Sequence, residues 1–441
     1  MASTLRGVLA RARASEFLRN ILLVMAGSGA AQAISIALVP VISRLFTPSD
    51  FGVSGSFAAV SGVIAAAVTL EYSQAIMLPR EKTDAIGLLA VSLASTGVVT
   101  LLTLTACVLA PSLVNGLIKT QGALVLVLLV SATLISGTNT ALQAWAVRAK
   151  AFRHTSASQV VRSLSGKSAT IGFGLLGTGA PGLIAGEILG NVAASINVLR
   201  VLLPDLGLLA RQARRASMVR LAKEYRDFPM YTASQGVINA LSSGLPVLLL
   251  TRFFGLPVAG SYAFALSVLT FPMGLVLSAL RQVLFQKASE SQHQGRSLSA
   301  LYVRVTATLF AMALLPTAVI LVWGPQLFSL VFGTRWYTAG EFSRSLMIWM
   351  AVVFCNLPAT LFGRIIRIQR FVFFYDLSLL ALRTAALVLG GYFLSASQTV
   401  MAYAVVGAAM NAYLILAVGR AVMKKELAMR PEGILSYLAG D

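Results

Sequence analysis

The feature that most constrains this chain is a series of apolar segments, each roughly 20 residues or longer, that recur along its whole length. A helix of about 20 residues spans the ~30 Å hydrocarbon core of a bilayer. Only 11% of the residues are charged, whereas soluble domains typically carry about 25%. The sequence therefore predicts an all-α polytopic membrane protein.

Hydropathy predicts about twelve transmembrane helices, in two halves of six. The first six spans are placed at 17–46, 52–78, 85–110, 123–147, 156–177 and 182–203. The second six are placed at 230–254, 261–284, 298–323, 339–362, 371–394 and 398–419. The apolar run after Arg19 is too long for the core of a secretory signal, so we expect a first helix and no cleavable signal.

The positive residues indicate the orientation of the chain. The formal net charge is +20, and most Lys and Arg residues lie in alternate connections between the spans, not in one patch that would suit nucleic acid. The opposite connections carry only Lys119 and Arg335. Because cytoplasmic loops carry the excess of positive charge, we expect both termini in the cytoplasm.

The two halves repeat one pattern around the turn between their first two helices. Pro40, Arg44, Phe46 and Gly52 correspond to Pro246, Arg252, Phe254 and Gly260. We therefore predict an N-terminal half at 1–205, a basic cytoplasmic linker at 206–228 and a C-terminal half at 229–441, related by a parallel repeat. The linker is expected either as an amphipathic helix on the anionic membrane surface or as a solvated connector.

Three segments carry a resemblance to a known family. They are the first hairpin, with Arg44-Leu45-Phe46-Thr47-Pro48-Ser49-Asp50-Phe51-Gly52; the segment Ala75-Ile76-Met77-Leu78-Pro79-Arg80 with Asp84 and Ala85 after it; and Phe332-Gly333 followed by Trp336, Ala339 and Gly340. Over nearly its full length the chain resembles the Wzx-type polysaccharide transporters of the multidrug/oligosaccharidyl-lipid/polysaccharide (MOP) superfamily. It departs from the family where an acidic residue is often found, because Ser73 stands there and Glu71 lies upstream.

The resemblance implies a MATE-like V-shaped bundle and transport by alternating access. It also implies a flippase that moves undecaprenyl-pyrophosphate-linked oligosaccharides from the cytoplasmic to the periplasmic leaflet of a bacterial inner membrane, for O-antigen, capsule or exopolysaccharide biosynthesis. Its partners would be the lipid-linked oligosaccharide and membrane lipids, together with a polysaccharide polymerase and chain-length machinery. The alternative is a MATE-like small-molecule exporter, which would favour central acids for organic cations.

Positive side chains inside the spans are the candidate substrate-binding residues, because ionisable groups in a membrane usually face a cavity or a partner. They are Lys167, Arg383, Arg44, Arg252 and Arg162. Lys167 and Arg383 lie near the midplane on the fifth helix of each half, and we expect them to line the cavity unless they pair internally or snorkel. Arg44 and Arg252 lie near helix ends and could snorkel equally well. Arg162 is about 140° around the helix from Lys167, so the two should not point at one spot.

Acids inside the spans are the candidates for ion coupling. Glu71, Glu187 and Asp376 could each carry a coupling ion, and the alternative is structural pairing, for example of an acid with Arg383. The polar fifth span should border water. The sequence has no metal-ligand spacing, nucleotide-binding loop or catalytic set, and its external segments are short, so we predict neither an enzyme nor a bound cofactor.

Overall fold

The computed structural model describes residues 29–120, 122–293, 297–366 and 368–428, and no strand occurs among them. Contacts between Cα atoms group the chain into two compact units, Met1–Thr251 and Arg252–Asp441. The boundary after Thr251 falls inside the helix Ser234–Phe254. The division into 1–205, 206–228 and 229–441 stays a prediction.

The helices of the first unit follow the order of the predicted spans. They are α1 (Gly29–Leu45), α2 (Pro48–Ala67), α3 (Tyr72–Ala75), α4 (Lys82–Leu109), α5 (Pro111–Ile118), α6 (Ala123–Arg148), α7 (Phe152–Leu175), α8 (Ala180–Leu202), α9 (Leu206–Gln212), α10 (Arg215–Glu224) and α11 (Ser234–Phe254). A six-residue π-helix, Phe228–Ala233, precedes α11.

The second unit is built from longer helices. They are α12 (Leu256–His293), α13 (Leu298–Phe332), α14 (Tyr337–Cys355), α15 (Leu357–Ile365), α16 (Gln369–Phe393) and α17 (Ala396–Ala428). A buried aromatic cluster holds the start of this unit together, since Trp336 stacks on Phe264 with ring centroids 3.9 Å apart. Trp336 and Gly340 belong to the third segment of the family resemblance, and a Cβ at Gly340 would collide with Pro325 of α13.

Ten helices in the described part of the chain are long and apolar enough to cross a membrane. The fifth predicted span is present as α7, whose 24 residues are less apolar than the others. For the first predicted span, α1 covers the described part and residues 17–28 lie outside the described residues. The all-α polytopic fold is thus confirmed.

Several predicted span boundaries are wrong. The second span does not continue to residue 78, because α2 ends at Ala67 and the chain breaks at Leu70 and Glu71, whose φ angles are 48° and 59°. The tenth span is interrupted at Asn356, as Pro358 would favour. The ninth extends to Phe332, because α13 tolerates its internal prolines.

The linker is not the single helix on the membrane surface that was one of the two expected alternatives. It forms α9 and α10, and α10 packs on α4 with Leu221 fully buried against Gly87. Tyr72 Oη donates to the carbonyl of Ala222 at 3.1 Å. Arg220 pairs with Asp84 at 2.6 Å, and this hydrogen bond raises the pKa of Arg220. The apolar face of the linker therefore contacts protein.

The first hairpin of the family resemblance is a helix-capping device. Thr47 Oγ1 accepts from the backbone N–H of Asp50, and the Asp50 carboxylate accepts from the Thr47 backbone N–H at 2.8 Å. The other carboxylate oxygen of Asp50 accepts from the backbone N–H of Ala180 at 2.9 Å. A single acid thus stabilises the first turns of α2 and α8.

The second segment of the resemblance is held in a similar way by one basic residue. Arg148, at the end of α6, donates to the carbonyls of Met77 at 3.1 Å and Pro79 at 2.6 Å. Ser73, at the position where the family often has an acid, is buried and shares a 3.1 Å hydrogen bond with Thr69. These contacts position the turn that leads into α4.

Candidate functional site

Helices α7 and α8 approach each other closely, and this approach brings two charged side chains together. A Cβ at Gly190 would lie 2.7 Å from the carbonyl oxygen of Arg162, and a Cβ at Gly186 would lie 2.9 Å from the backbone of Thr170. Only glycine permits this helix separation. As a result, Arg162 Nη2 lies 3.5 Å from Glu187 Oε1.

The Arg162–Glu187 pair lies at a cavity of about 330 Å³ within the first unit. Such a volume falls in the ~300–1,000 Å³ range of small-molecule pockets. The lining comes from α2, α6, α7 and α8. The lining residues are Ser54, Phe57, Ala58, Ser61, Gly62, Ala65, Ala132, Ile135, Ser136, Asn139, Thr140, Arg162, Ile184, Glu187, Ile188 and Asn191.

Amides and hydroxyls give this cavity its polar character. Thr140 Oγ1 donates to the carbonyl of Ser136 at 2.9 Å, and Asn191 Nδ2 donates to the carbonyl of Glu187 at 3.2 Å. Asn139 Oδ1 is buried and has no hydrogen-bond partner within the described residues. The cavity therefore offers hydrogen-bond acceptors to a ligand.

Lys167 does not line this cavity, although the sequence favoured it over Arg162. Its side chain is partly buried, and the charged groups that influence it electrostatically are Glu187 and Arg162. Ser163, on the same helix, instead joins α7 to α1 by donating to the carbonyl of Ala31 at 2.8 Å. The structure thus brings Arg162 and Glu187 together and leaves Lys167 outside the lining.

Arg383 occupies a different environment in the second unit. Its Cζ lies 3.8 Å from the ring centroid of Trp349 and 4.3 Å from that of Tyr403, distances typical of strong cation–π contacts. Gly407 packs directly on the guanidinium, so that any Cβ there would collide with Nη2. Nε and Nη2 are buried without a hydrogen-bond partner in the part of the chain that the structure describes.

The remaining predicted site residues are not brought into either site. Arg44 and Arg252 are exposed near the ends of α1 and α11. Glu71 lies at the break after α2 and accepts from Gln74 Nε2 at 2.6 Å. Asp376 is exposed on α16, the same helix as Arg383. The expected alternative for Arg383, an ion pair with a carboxylate on another helix, does not occur among the described residues.

Some polar residues within the spans were not among the predicted site residues. Arg344 and Glu341 lie on α14, and Arg344 Nη2 donates to the carbonyl of Val322 at 2.7 Å. Both residues are charged and lie inside the tenth predicted span, so the sequence does indicate them as candidates. Asn139 and Asn191 have no such signal, because only the packing of α6 against α8 places them at one cavity.

The comparison with protein families matches residues 41–341 to a family described as polysaccharide biosynthesis protein. The comparison with curated proteins gave no match.

Three solved structures share the fold at low sequence identity. The lipid II flippase MurJ, in an inward closed conformation, aligns with a TM-score of 0.67 and 10% identity, over 94% of this chain and 93% of that chain. An inward-facing multidrug resistance MATE family transporter of the MOP superfamily aligns with a TM-score of 0.62 and 16% identity, over 90% of this chain and 96% of that chain. The third is a MOP superfamily transporter from Pyrococcus furiosus whose binding pocket has reverse polarity. It aligns with a TM-score of 0.60 and 12% identity, over 93% of this chain and 96% of that chain.

The helices, together with these likenesses, define a multi-pass membrane protein with the fold of MOP superfamily transporters. Because the family model spans more than half of its length, the chain belongs to the polysaccharide biosynthesis protein family. This family agrees with the resemblance to polysaccharide transporters, and the fold agrees with that of the MOP superfamily transporters.

Proposed function

We propose that this chain carries undecaprenyl-pyrophosphate-linked oligosaccharides from the cytoplasmic to the periplasmic leaflet of a bacterial inner membrane. The proposal rests on Arg383, an intramembrane guanidinium without a carboxylate partner among the described residues, in a member of a polysaccharide biosynthesis family. Arginine binds phosphate oxygens through paired, charge-assisted hydrogen bonds. A lipid diphosphate supplies such oxygens whatever glycan it carries.

The fold supports a lipid substrate, since the lipid II flippase MurJ aligns with 94% of this chain. The MOP superfamily transporter from Pyrococcus furiosus supports the use of charge to propose a cargo. The reverse polarity of its binding pocket suggests a different function for that protein.

The expected orientation completes the proposal. Lys and Arg are concentrated in alternate connections, which supports cytoplasmic termini. The flipped unit would then reach a polysaccharide polymerase and chain-length machinery in the periplasm, for O-antigen, capsule or exopolysaccharide synthesis.

The test is the pool of lipid-linked intermediates in cells that lack the protein. Mass spectrometry of extracted lipids should show accumulated undecaprenyl-pyrophosphate-linked units, which the wild-type chain clears. Arg383→Gln should leave the accumulation in place, whereas the loop variant Lys119→Ala should clear it. Unchanged lipid-linked pools, together with a new sensitivity to organic cations, would refute the proposal in favour of small-molecule export.

A further inference from the structure

The cavity of the first unit carries no net charge from the residues that line it. Arg162 is its one cation and Glu187 its one anion within the described lining. Their separation of 3.5 Å is longer than the ~2.7–2.9 Å of a tight charge-assisted hydrogen bond. The pair is therefore loose enough for both side chains to hydrogen-bond a ligand while they neutralise each other.

The polar groups around this pair match a ligand that donates several hydrogen bonds. The buried Asn139 Oδ1 has no donor within the described residues, and a buried acceptor without a donor is unfavourable. Asn191 uses its Nδ2 on the carbonyl of Glu187 and keeps its Oδ1 for a ligand. Thr140 uses its proton on the carbonyl of Ser136 and keeps its lone pairs.

The rest of the lining is apolar. Phe57, Ile135, Ile184 and Ile188 form walls beside the amides and hydroxyls. A sugar ring combines hydroxyl groups, which donate and accept, with C–H faces that pack on apolar side chains.

We infer that this cavity binds an uncharged sugar of the lipid-linked glycan, with Asn139 as a specificity-determining residue. The inference rests on the proposed function and assigns the diphosphate to another site. The Arg162–Glu187 pair offers a phosphate group no net positive charge, because the carboxylate of Glu187 offsets the guanidinium of Arg162. Arg383, in contrast, has no acid paired with it among the described residues.

The experiment measures binding of two lipids to the full-length protein in nanodiscs. The probes are undecaprenyl diphosphate and the lipid-linked units extracted from the deletion strain. Asn139→Leu and Asn139→Ala are compared with Asn197→Leu, a matched control on α8 whose Oδ1 is also buried without a described partner but lies outside the cavity lining. Each variant is used only if it is monodisperse and melts like the wild type.

The expected result is a selective loss. Both Asn139 variants should bind the glycan-bearing lipid about tenfold more weakly, the loss expected when one hydrogen bond to a neutral group is removed. Their affinity for undecaprenyl diphosphate should stay unchanged, and Asn197→Leu should alter neither affinity. Glu187→Gln should also leave undecaprenyl diphosphate binding unchanged, since the diphosphate lies elsewhere.

Three outcomes would overturn the inference. They are an equal loss for both lipids in the Asn139 variants, no loss for either, and a tenfold tightening of undecaprenyl diphosphate by Glu187→Gln. In each case a wild-type chain that still clears lipid-linked units from cells would leave the proposed export intact. Failure of the proposed function is recognised separately, by normal lipid-linked pools in the deletion strain.

Discussion

Replacing Arg383 by methionine should remove transport while changing stability little. Methionine keeps an unbranched, flexible side chain, shorter than that of arginine, and removes its charge and its donors. The guanidinium gains about 0.5–2 kcal/mol from each of two cation–π contacts, at 3.8 and 4.3 Å. Leaving Nε and Nη2 buried and unpaired costs about 1–3 kcal/mol for each of the two atoms. The cation–π gain and this cost have opposite signs and similar sizes, so they largely cancel.

The free energy of unfolding of Arg383→Met should therefore differ from the wild type by less than about 2 kcal/mol. Clearance of lipid-linked intermediates should instead fall by about tenfold or more, because a charge-assisted hydrogen bond contributes about 1.5–3 kcal/mol. The assays are thermal unfolding of the purified protein and intermediate pools in complemented deletion cells.

Arg344→Met is the matched control for this prediction. Arg344 lies on α14 and donates to the carbonyl of Val322, so its loss should lower stability by about 1 kcal/mol and leave clearance unchanged. Normal clearance by Arg383→Met would refute a substrate role for Arg383. A large drop in melting temperature, with normal clearance per folded molecule, would show that Arg383 is structural.

Other substitutions test the local structure. Asp50→Ala removes an acceptor for the first turns of α2 and α8 and should lower the free energy of unfolding by about 1–2 kcal/mol. Asp50→Asn keeps one side-chain oxygen and should lose less of this stability. Gly190→Ala, whose Cβ would lie 2.7 Å from the carbonyl of Arg162, should destabilise by about 1–3 kcal/mol. Gly97→Ala, in open space on α4, should stabilise the protein by about 0.5–1 kcal/mol. Similar shifts in melting temperature for Gly190→Ala and Gly97→Ala would contradict the close approach of α7 and α8.

The helices of this fold could be predicted from the sequence, because each span must be apolar for about 20 residues to cross a bilayer. Irregularities inside the spans could be predicted only in part. Pro358 gave a sign of the break after α14. The break after α2 occurs at Leu70 and Glu71, and neither residue type favours a left-handed conformation. Tertiary packing determines that break, and it has no local signal.

The site could be predicted less well than the fold. The sequence identified Arg162 and Glu187 as intramembrane charges, but they are 25 positions apart and only the glycine-mediated approach of α7 and α8 brings them together. The helical angle between Arg162 and Lys167 predicts that the two side chains diverge, yet it could not tell which one lines a cavity. Asn139 lies on a third helix, so its place at the cavity follows from tertiary structure alone.

The charge environment of the sites also bears on the driving force for transport. A diphosphate that moves outward leaves the side of the membrane with the negative electrical potential. If its two negative charges are uncompensated, this movement releases roughly 4–5 kcal/mol at a membrane potential of 100 mV. The Arg162–Glu187 pair adds no net charge to the moving complex, so it does not change this electrical free-energy gain. We therefore expect an inside-negative potential to accelerate outward movement even if Glu71, Glu187 or Asp376 exchanges an ion. Vesicles with imposed potentials, fixed pH and sodium, and a fluorescent lipid-linked sugar would measure the rate. A rate indifferent to potential would refute the electrogenic mechanism, because the net charge crossing the membrane would then be zero.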